Sequence, residues 1–228
     1  MSSPSQKTDI LLFDLDGTLV DSAPDLALAV NDTLQQLGRN TFSQEVIRGW
    51  VGNGAKTLIE RALSGDIEIS PDLDPELSAK ALAIFLHSYQ QNVCVHSKLY
   101  DGVLNSLQTL KELGYKLAVV TNKPERFIQP ILDGLGLTDV FDTLVGGDTL
   151  TQKKPAPEPL LHACQLMGAS IERCLMIGDS RNDILAAKAA GTASVGLTYG
   201  YNYGEDIAQY QPEWVLDNFT DLLKILKD

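Results

Sequence analysis

Short apolar runs at 10–13, 117–121, 144–146, 174–178, 194–197 and 214–216 alternate with segments of helical periodicity at 103–113, 125–135, 158–167, 184–190 and 222–226. Apolar runs this short suit strands buried on both faces. Their alternation with helices predicts a parallel sheet covered on both sides. The expected fold class is therefore α/β, with a doubly wound, Rossmann-like parallel-sheet core. One stretch breaks the rhythm. Between about 23 and 95 only helical patterns occur, at 25–37, 44–50, 55–63 and 75–91, the last opened by Asp74 as a capping acid and Pro75 at the first helical position. A helical block placed just after the first strand predicts an inserted all-helical subdomain over residues 22–96. The core would then be 1–21 and 97–228, with hinges near 20–23 and 95–99.

Composition narrows the function classes. The 228 residues carry 18 Lys and Arg against 30 Asp and Glu, a formal net charge of −12, which disfavours a nucleic-acid or anionic-membrane surface. The 44% hydrophobic content is ordinary for a globular chain. Cys94, Cys164 and Cys174 form no CxxC pair, so neither a disulfide framework nor a structural zinc site is expected. The first seven residues are polar and no apolar run is long enough to span a bilayer. The expectation is a cytoplasmic protein, monomer or homodimer, with no membrane or nucleic-acid partner.

The predicted strand ends collect the chemistry. Asp14 and Asp16 follow the first strand; on an extended chain, positions two apart face the same way. Two ionised carboxylates in one cleft need a cation or a shared proton. Gly17 permits a sharp turn that brings backbone close to a ligand. Thr121, Asn122 and Lys123 close the second strand, Lys153 and Lys154 precede Pro155, and 178–183 reads Gly-Asp-Ser-Arg-Asn-Asp. In a doubly wound sheet these ends converge, and ligands collect there. Carboxylates beside hydroxyl, amide and ammonium donors suit a phosphate held with a hard cation such as Mg²⁺.

The order D-x-D-G-T, Thr-Asn, Lys-Pro, G-D-S-x-x-D resembles the haloacid dehalogenase superfamily, and the helical insert resembles that family's C1 cap. The resemblance implies roles. Asp14 would be the nucleophile that forms an aspartyl-phosphate, and Asp16 the general acid and base. Mg²⁺ would be held by the Asp14 carboxylate, the Asp16 backbone carbonyl and the Asp179 carboxylate. Thr121 would donate to a phosphoryl oxygen, with Gly17 and Asn122 also on the substrate. Lys154, chosen over Lys153 because it abuts Pro155, would pair with the phosphoryl group and Asp14. Asp183 would orient the metal site or Lys154, or else cap a helix.

Competing reactions leave marks that can be sought. A haloalkanoate dehalogenase has no need of Asp16. The early-cap histidine of the family's sugar-phosphate mutases falls on Leu26 here, so a phosphatase is favoured. A phospho-receiver shares the acids, Thr and Lys but is about half as long and has no helical insert. Segments 178–191 and 196–204, with Asp21 to Pro24, Gly52 to Ala55 and Thr121 to Pro124, look like the bacterial phosphoglycolate phosphatases. That implies a small phosphorylated carboxylic acid as substrate. The alternative is a related phosphatase or mutase acting on a sugar phosphate or another small phosphorylated metabolite.

Gly52, Asn53 and Gly54 open the helix at 55; either their backbone N–H groups, with Arg48 or Lys56, receive the substrate carboxylate, or the segment is a plain helix–helix turn. The stretch 49–57 only approaches a P-loop, because Ala55 separates Gly54 from Lys56 and no strand precedes it. Asp21, Asp101 and Asp148 are expected as turn or cap residues. His87, His96 and His162 have no ligand spacing, and Cys164 and Cys174 are expected to pack as small apolar groups. For the segment in which Tyr199, Tyr201 and Tyr203 alternate, a substrate-side loop and a packed surface turn are both open, and the turn is favoured.

Overall fold

The computed structural model describes residues 8–226. The chain runs through β1 (Ile10–Phe13), β2 (Val20–Asp21), α1 (Ala23–Gln36), α2 (Gln44–Arg48), α3 (Ala55–Ser64), α4 (Pro75–Gln91) and β3 (Lys98–Leu99). It continues with α5 (Val103–Glu112), β4 (Lys116–Val120), α6 (Ile128–Gly134), β5 (Thr143–Val145), α7 (Glu158–Leu166) and β6 (Cys174–Gly178). The last elements are α8 (Arg181–Ala190), β7 (Ala193–Leu197), β8 (Trp214–Leu216) and α9 (Leu222–Ile225).

Six of the strands form one parallel sheet in the order β5-β4-β1-β6-β7-β8. Its period of two sorts the side chains into two cores. Leu11 and Phe13 of β1 join Leu117, Val119, Leu175 and Ile177 under α5, α6 and α9. Ile10 and Leu12 join Ala118, Val120 and Met176 under α7 and α8, where Cys164 and Cys174 pack as small apolar groups. All four β1 side chains are buried, which is why that strand reads as an unbroken apolar run. From β1 the chain moves outward through β4 and β5, then returns to β6 on the other side. The carboxyl ends of β1 and β6 therefore open onto a shared crevice.

Two predicted helices begin elsewhere than expected. The segment 125–135 opens with a 3₁₀ turn, Glu125–Phe127, and α6 starts only at Ile128. Pro130 has no N–H to bond four residues back, so it is accommodated in the first turn of the helix. In contrast, α8 starts three residues before position 184, at Arg181, because Ser180 and Asp183 form a reciprocal capping box.

The helices α1 to α4 build a separate apolar cluster around Leu26, Val30, Leu34, Trp50, Leu58, Phe85 and Tyr89. The chain enters it through β2 and leaves it through β3, and these two strands pair antiparallel, Val20 opposite Leu99 and Asp21 opposite Lys98. Asp25, in the first turn of α1, accepts hydrogen bonds from the N–H groups of Val95, His96 and Ser97 and from the Ser97 hydroxyl. One buried carboxylate thus ties the start of the helical block to its end, and it sits where a helix dipole favours negative charge. No helix among the described residues is long and apolar enough to cross a membrane.

Candidate active site

Asp14 continues β1 into the crevice: its N–H donates to the Ile177 carbonyl at 3.0 Å, and its Oδ1 accepts the Leu15 N–H at 2.7 Å. Asp179 enters from the end of β6. Its Oδ1 accepts the Thr18 hydroxyl and its Oδ2 the Tyr201 N–H, each at 2.6 Å. Two glycines make room for it. A Cβ on Gly17 would lie 2.3 Å from Asp179 Oδ2, and one on Gly200 would lie 2.4 Å from the same oxygen. Both glycines also have positive φ, so neither position tolerates a side chain.

Asp183 completes an acidic group. Carboxylate oxygens of Asp14, Asp179 and Asp183 lie within 4.8 Å of one another, all buried. Lys154, the buried ammonium among them, reaches Asp183 at 2.6 Å, Asp14 at 3.1 Å and the Val120 carbonyl. Three carboxylates against one ammonium leave two negative charges without a partner inside the protein. Burial pushes Asp14 up to about 6, with Lys154 pulling it down and Asp183 and Asp16 pushing it further up. Burial and the charges of Asp183 and Asp14 raise Asp179 well above the usual carboxylate range, against the two donors it accepts. Burial would lower Lys154, but Asp14 and Asp183 outweigh it and hold the ammonium charged. The donor set is all oxygen and two charges short of neutral, which fits a hard divalent cation.

Asp16 stands in different surroundings. Its carboxylate accepts the Ser22 hydroxyl, and Lys123 Nζ meets both its oxygens at 3.0 and 3.1 Å. Burial would lower Lys123, but the Asp16 charge outweighs it and raises the ammonium above its ordinary value. Asp16 thus has its own counter-ion and lies outside the acidic trio. Lys123 is a functional residue that the sequence motifs leave without a role. Its position directly after Thr121 and Asn122 was the available clue.

The remaining expected residues sort clearly. Thr121 is buried at the end of β4, its hydroxyl accepting the Lys123 N–H at 3.3 Å. Asn122 donates through Nδ2 to the carbonyls of Gly52 and Lys154, so it joins the helical block to the sheet. The Gly52 carbonyl also accepts from Asn182, and the Asn53 carbonyl accepts Lys153 Nζ at 2.8 Å. Gly54 packs so closely that a Cβ there would lie 2.9 Å from the Asn122 carbonyl oxygen. Lys153 therefore serves the helical block while its neighbour Lys154 serves the acids.

Three expectations need correction. Arg48 does not face the cleft: its guanidinium forks onto Asp21 at 2.9 and 3.1 Å, and Lys56 points outward toward Glu60. Asp21 does more than cap the start of α1, where its carboxylate meets the Ala23 N–H. It accepts Arg48 and the Tyr201 hydroxyl, and these hold its carboxyl below the usual range despite partial burial. The tyrosine segment is not a surface turn. Tyr201 is buried and also accepts the Ala23 N–H, Tyr199 donates to the Thr18 carbonyl, and Tyr203 donates to Asn53 Oδ1. These partners are remote in sequence, so spacing could not reveal them. Asp148, by contrast, is a turn acceptor as expected, bonded to the Glu125 N–H. His87 and His96 border one surface cleft but belong to no cluster of ligands among the described residues.

Comparison with known proteins agrees with this geometry. Residues 8–191 match the family model of the haloacid dehalogenase-like hydrolases. The chain is 61% identical over 222 residues to a phosphoglycolate phosphatase of Colwellia psychrerythraea, covering 97% of this chain and 98% of that one. It is 46% identical to a phosphoglycolate phosphatase of Pseudomonas putida, covering 96% and 80% respectively. A crystal structure of a predicted phosphoglycolate phosphatase from Haemophilus somnus superposes with a TM-score of 0.88 at 41% identity, covering 97% of this chain and 99% of that one. The acidic trio at the sheet's crevice and these matches lead to one assignment: the chain belongs to the haloacid dehalogenase-like hydrolases.

Proposed function

We propose that the protein hydrolyses 2-phosphoglycolate to glycolate and phosphate in the cytoplasm. The observation that carries the chemistry is the unequal placing of the paired aspartates: Asp14 among excess negative charge, Asp16 with a lysine of its own. The substrate is supported by the names of the relatives. A mutase is disfavoured by Leu26, which lines the cavity beside Asp14 and Asp16 and offers no proton-transfer group there.

In this reading residues 22–96 form a cap domain over a core of 1–21 and 97–228. Asp14 attacks phosphorus and forms the aspartyl-phosphate, and Asp16, which enters this step protonated, gives its proton to the departing glycolate oxygen. Asp16 then takes a proton from the water that attacks the phosphoenzyme, and orthophosphate leaves with Asp14 regenerated. The Leu15 N–H and Lys154 both meet Asp14 Oδ1, which fixes the plane of the nucleophile. In this reading the Thr121 hydroxyl donates to a phosphoryl oxygen, whereas the Gly17 N–H is already given to the Val20 carbonyl and Asn122 Nδ2 to the Gly52 and Lys154 carbonyls. The Asp14 and Asp179 carboxylates and the Asp16 carbonyl would hold Mg²⁺, which would supply the positive charge that the buried trio lacks. Asp183 positions Lys154 and caps α8 through separate oxygens. Gly52 and Gly54, with Ala55, close the cap side of the pocket.

The test is phosphate release from phosphoglycolate, hexose phosphates and nucleotides, with Mg²⁺ and with EDTA. Phosphoglycolate should be the preferred substrate, and turnover should vanish in EDTA. A preference for a hexose phosphate overturns the substrate and leaves the chemistry standing.

A further inference from the structure

Between the cap and Asp16 lies a cavity of about 30 Å³, lined among others by Asp14, Asp16, Leu58, Tyr89, Lys123 and Phe127. A water molecule needs roughly 10–15 Å³, so this space admits about two small heavy groups. Its walls are largely apolar, yet they carry two unsatisfied polar atoms. Tyr89 Oη and Asn122 Oδ1 are buried with no hydrogen-bond partner among the described residues. Leaving a buried hydroxyl unpaired costs about 1–3 kcal/mol. Nothing in the packing of Tyr89 calls for the hydroxyl. The ring is stacked on Phe85 at 5.7 Å and meets Phe127 edge-on at 5.0 Å, contacts that a phenylalanine would also make.

Lys123 lies beside it, with Nζ 4.7 Å from the Tyr89 ring centroid. Its short contacts, at 3.0 and 3.1 Å, both end on the Asp16 carboxylate, while the ammonium also faces the Tyr89 hydroxyl oxygen, which leaves the hydroxyl proton free to be given elsewhere. A hydroxyl and an ammonium therefore converge on one small, apolar-walled space next to Asp16. The N-terminus of α3 forms another wall through Gly54 and Ala55. Asn122 Oδ1 cannot exchange places with its nitrogen, because Nδ2 donates to two carbonyls. It is an acceptor, and it repels an anion toward the tyrosine and lysine side.

We propose that Tyr89 is a specificity-determining residue, its hydroxyl donating with Lys123 to the carboxylate of the substrate's leaving group. The inference rests on the phosphoglycolate reading and sharpens it. A carboxylate supplies an acceptor to the hydroxyl proton, which is otherwise unsatisfied. A sugar would bring several hydroxyls against Leu58, Phe127 and their neighbours, where they lose water and gain no partner.

The experiment compares phosphoglycolate with ethyl phosphate, which lacks only the carboxylate function, on wild type and on Tyr89→Phe. The wild type should prefer phosphoglycolate. In Tyr89→Phe the ratio of the two kcat/KM values should fall at least tenfold, mainly through KM for phosphoglycolate. The variant's Tm without ligand should stay close to that of wild type, since the ring contacts to Phe85 and Phe127 are kept. A ratio that changes less than threefold, or equal losses on both esters with a lowered Tm, would show a tyrosine that only packs and would overturn the proposal while leaving the substrate reading intact. A wild type that does not prefer phosphoglycolate overturns the substrate reading, and this inference with it.

Discussion

The floor of the crevice and its cap side solve the same electrostatic problem in opposite ways. On the floor, Asp14, Asp179 and Asp183 crowd around a single ammonium, and burial leaves Asp14 and Asp179 reluctant to ionise. On the cap side Asp16 has Lys123 to itself, and the pair is balanced. Asp14 and Asp16 are two residues apart in the chain, so the division comes from what converges on them. An acid placed in excess negative charge is set to receive a cation, whereas an acid with its own lysine is set to act on a neighbouring group.

The largest effect should come from breaking the floor. Asp14→Asn should abolish phosphate release, by about 10⁴-fold or more, because the nucleophile is gone. In metal-free buffer the same change should raise Tm, because it removes a buried charge that repels its neighbours. Stopped-assay phosphate release and thermal unfolding measure the two. Retained turnover would sink the covalent mechanism, and a lower metal-free Tm would contradict the excess of negative charge.

Lys154 and Lys153 offer a sharper internal comparison, since they are adjacent in sequence and serve different regions. Lys154→Ala leaves three buried carboxylates with no counter-ion, a loss of about 3–5 kcal/mol in stability. It should also lower kcat by about 10³-fold. Lys153→Ala removes a half-buried contact to the Asn53 carbonyl and should cost no more than about tenfold, mostly in KM. Equal losses of turnover would mean that the register of the lysine pair is wrong.

How much of this was legible follows from the distance between partners. The sheet was readable because each strand is a local apolar run, and the helical insert because its period of 3.6 persists without interruption. Asp14, Asp16 and Asp179 stood out because they follow strands whose ends must meet. Lys123 carried no role in the motifs, since its partner Asp16 lies 107 positions away. Tyr201 failed for a similar reason: its spacing matches a loop, but its hydroxyl meets Asp21, 180 positions earlier, and its N–H meets Asp179. Arg48 was misjudged because a basic residue near a glycine-rich helix start looks like an anion receptor. The Asp21 carboxylate that claims it comes from the hinge, which sequence cannot place beside it.

The smallest predicted effect tests the floor by pH. Asp14 has an ordinary carboxyl pKa of 3.8 when unfolded and about 6 when folded. With the folded value raised, its contribution favours the fold below pH 3.8 and is lost as pH rises through 6, a change of roughly 3 kcal/mol. A cation needs the carboxylate deprotonated, so at pH 5 it must first displace the proton held by Asp14, which weakens apparent affinity by about tenfold. The rise in Tm on adding a fixed excess of Mg²⁺ should therefore be larger at pH 7.5 than at pH 5, by about 3–5 °C. Asp179, shifted in the same direction, adds to the difference. In Asp14→Asn the metal shift should shrink and its pH dependence should flatten. Equal metal shifts at both pH values would mean that Asp14 is already ionised in the metal-free fold, and that Lys154 neutralises the floor more fully than three acids against one ammonium suggest.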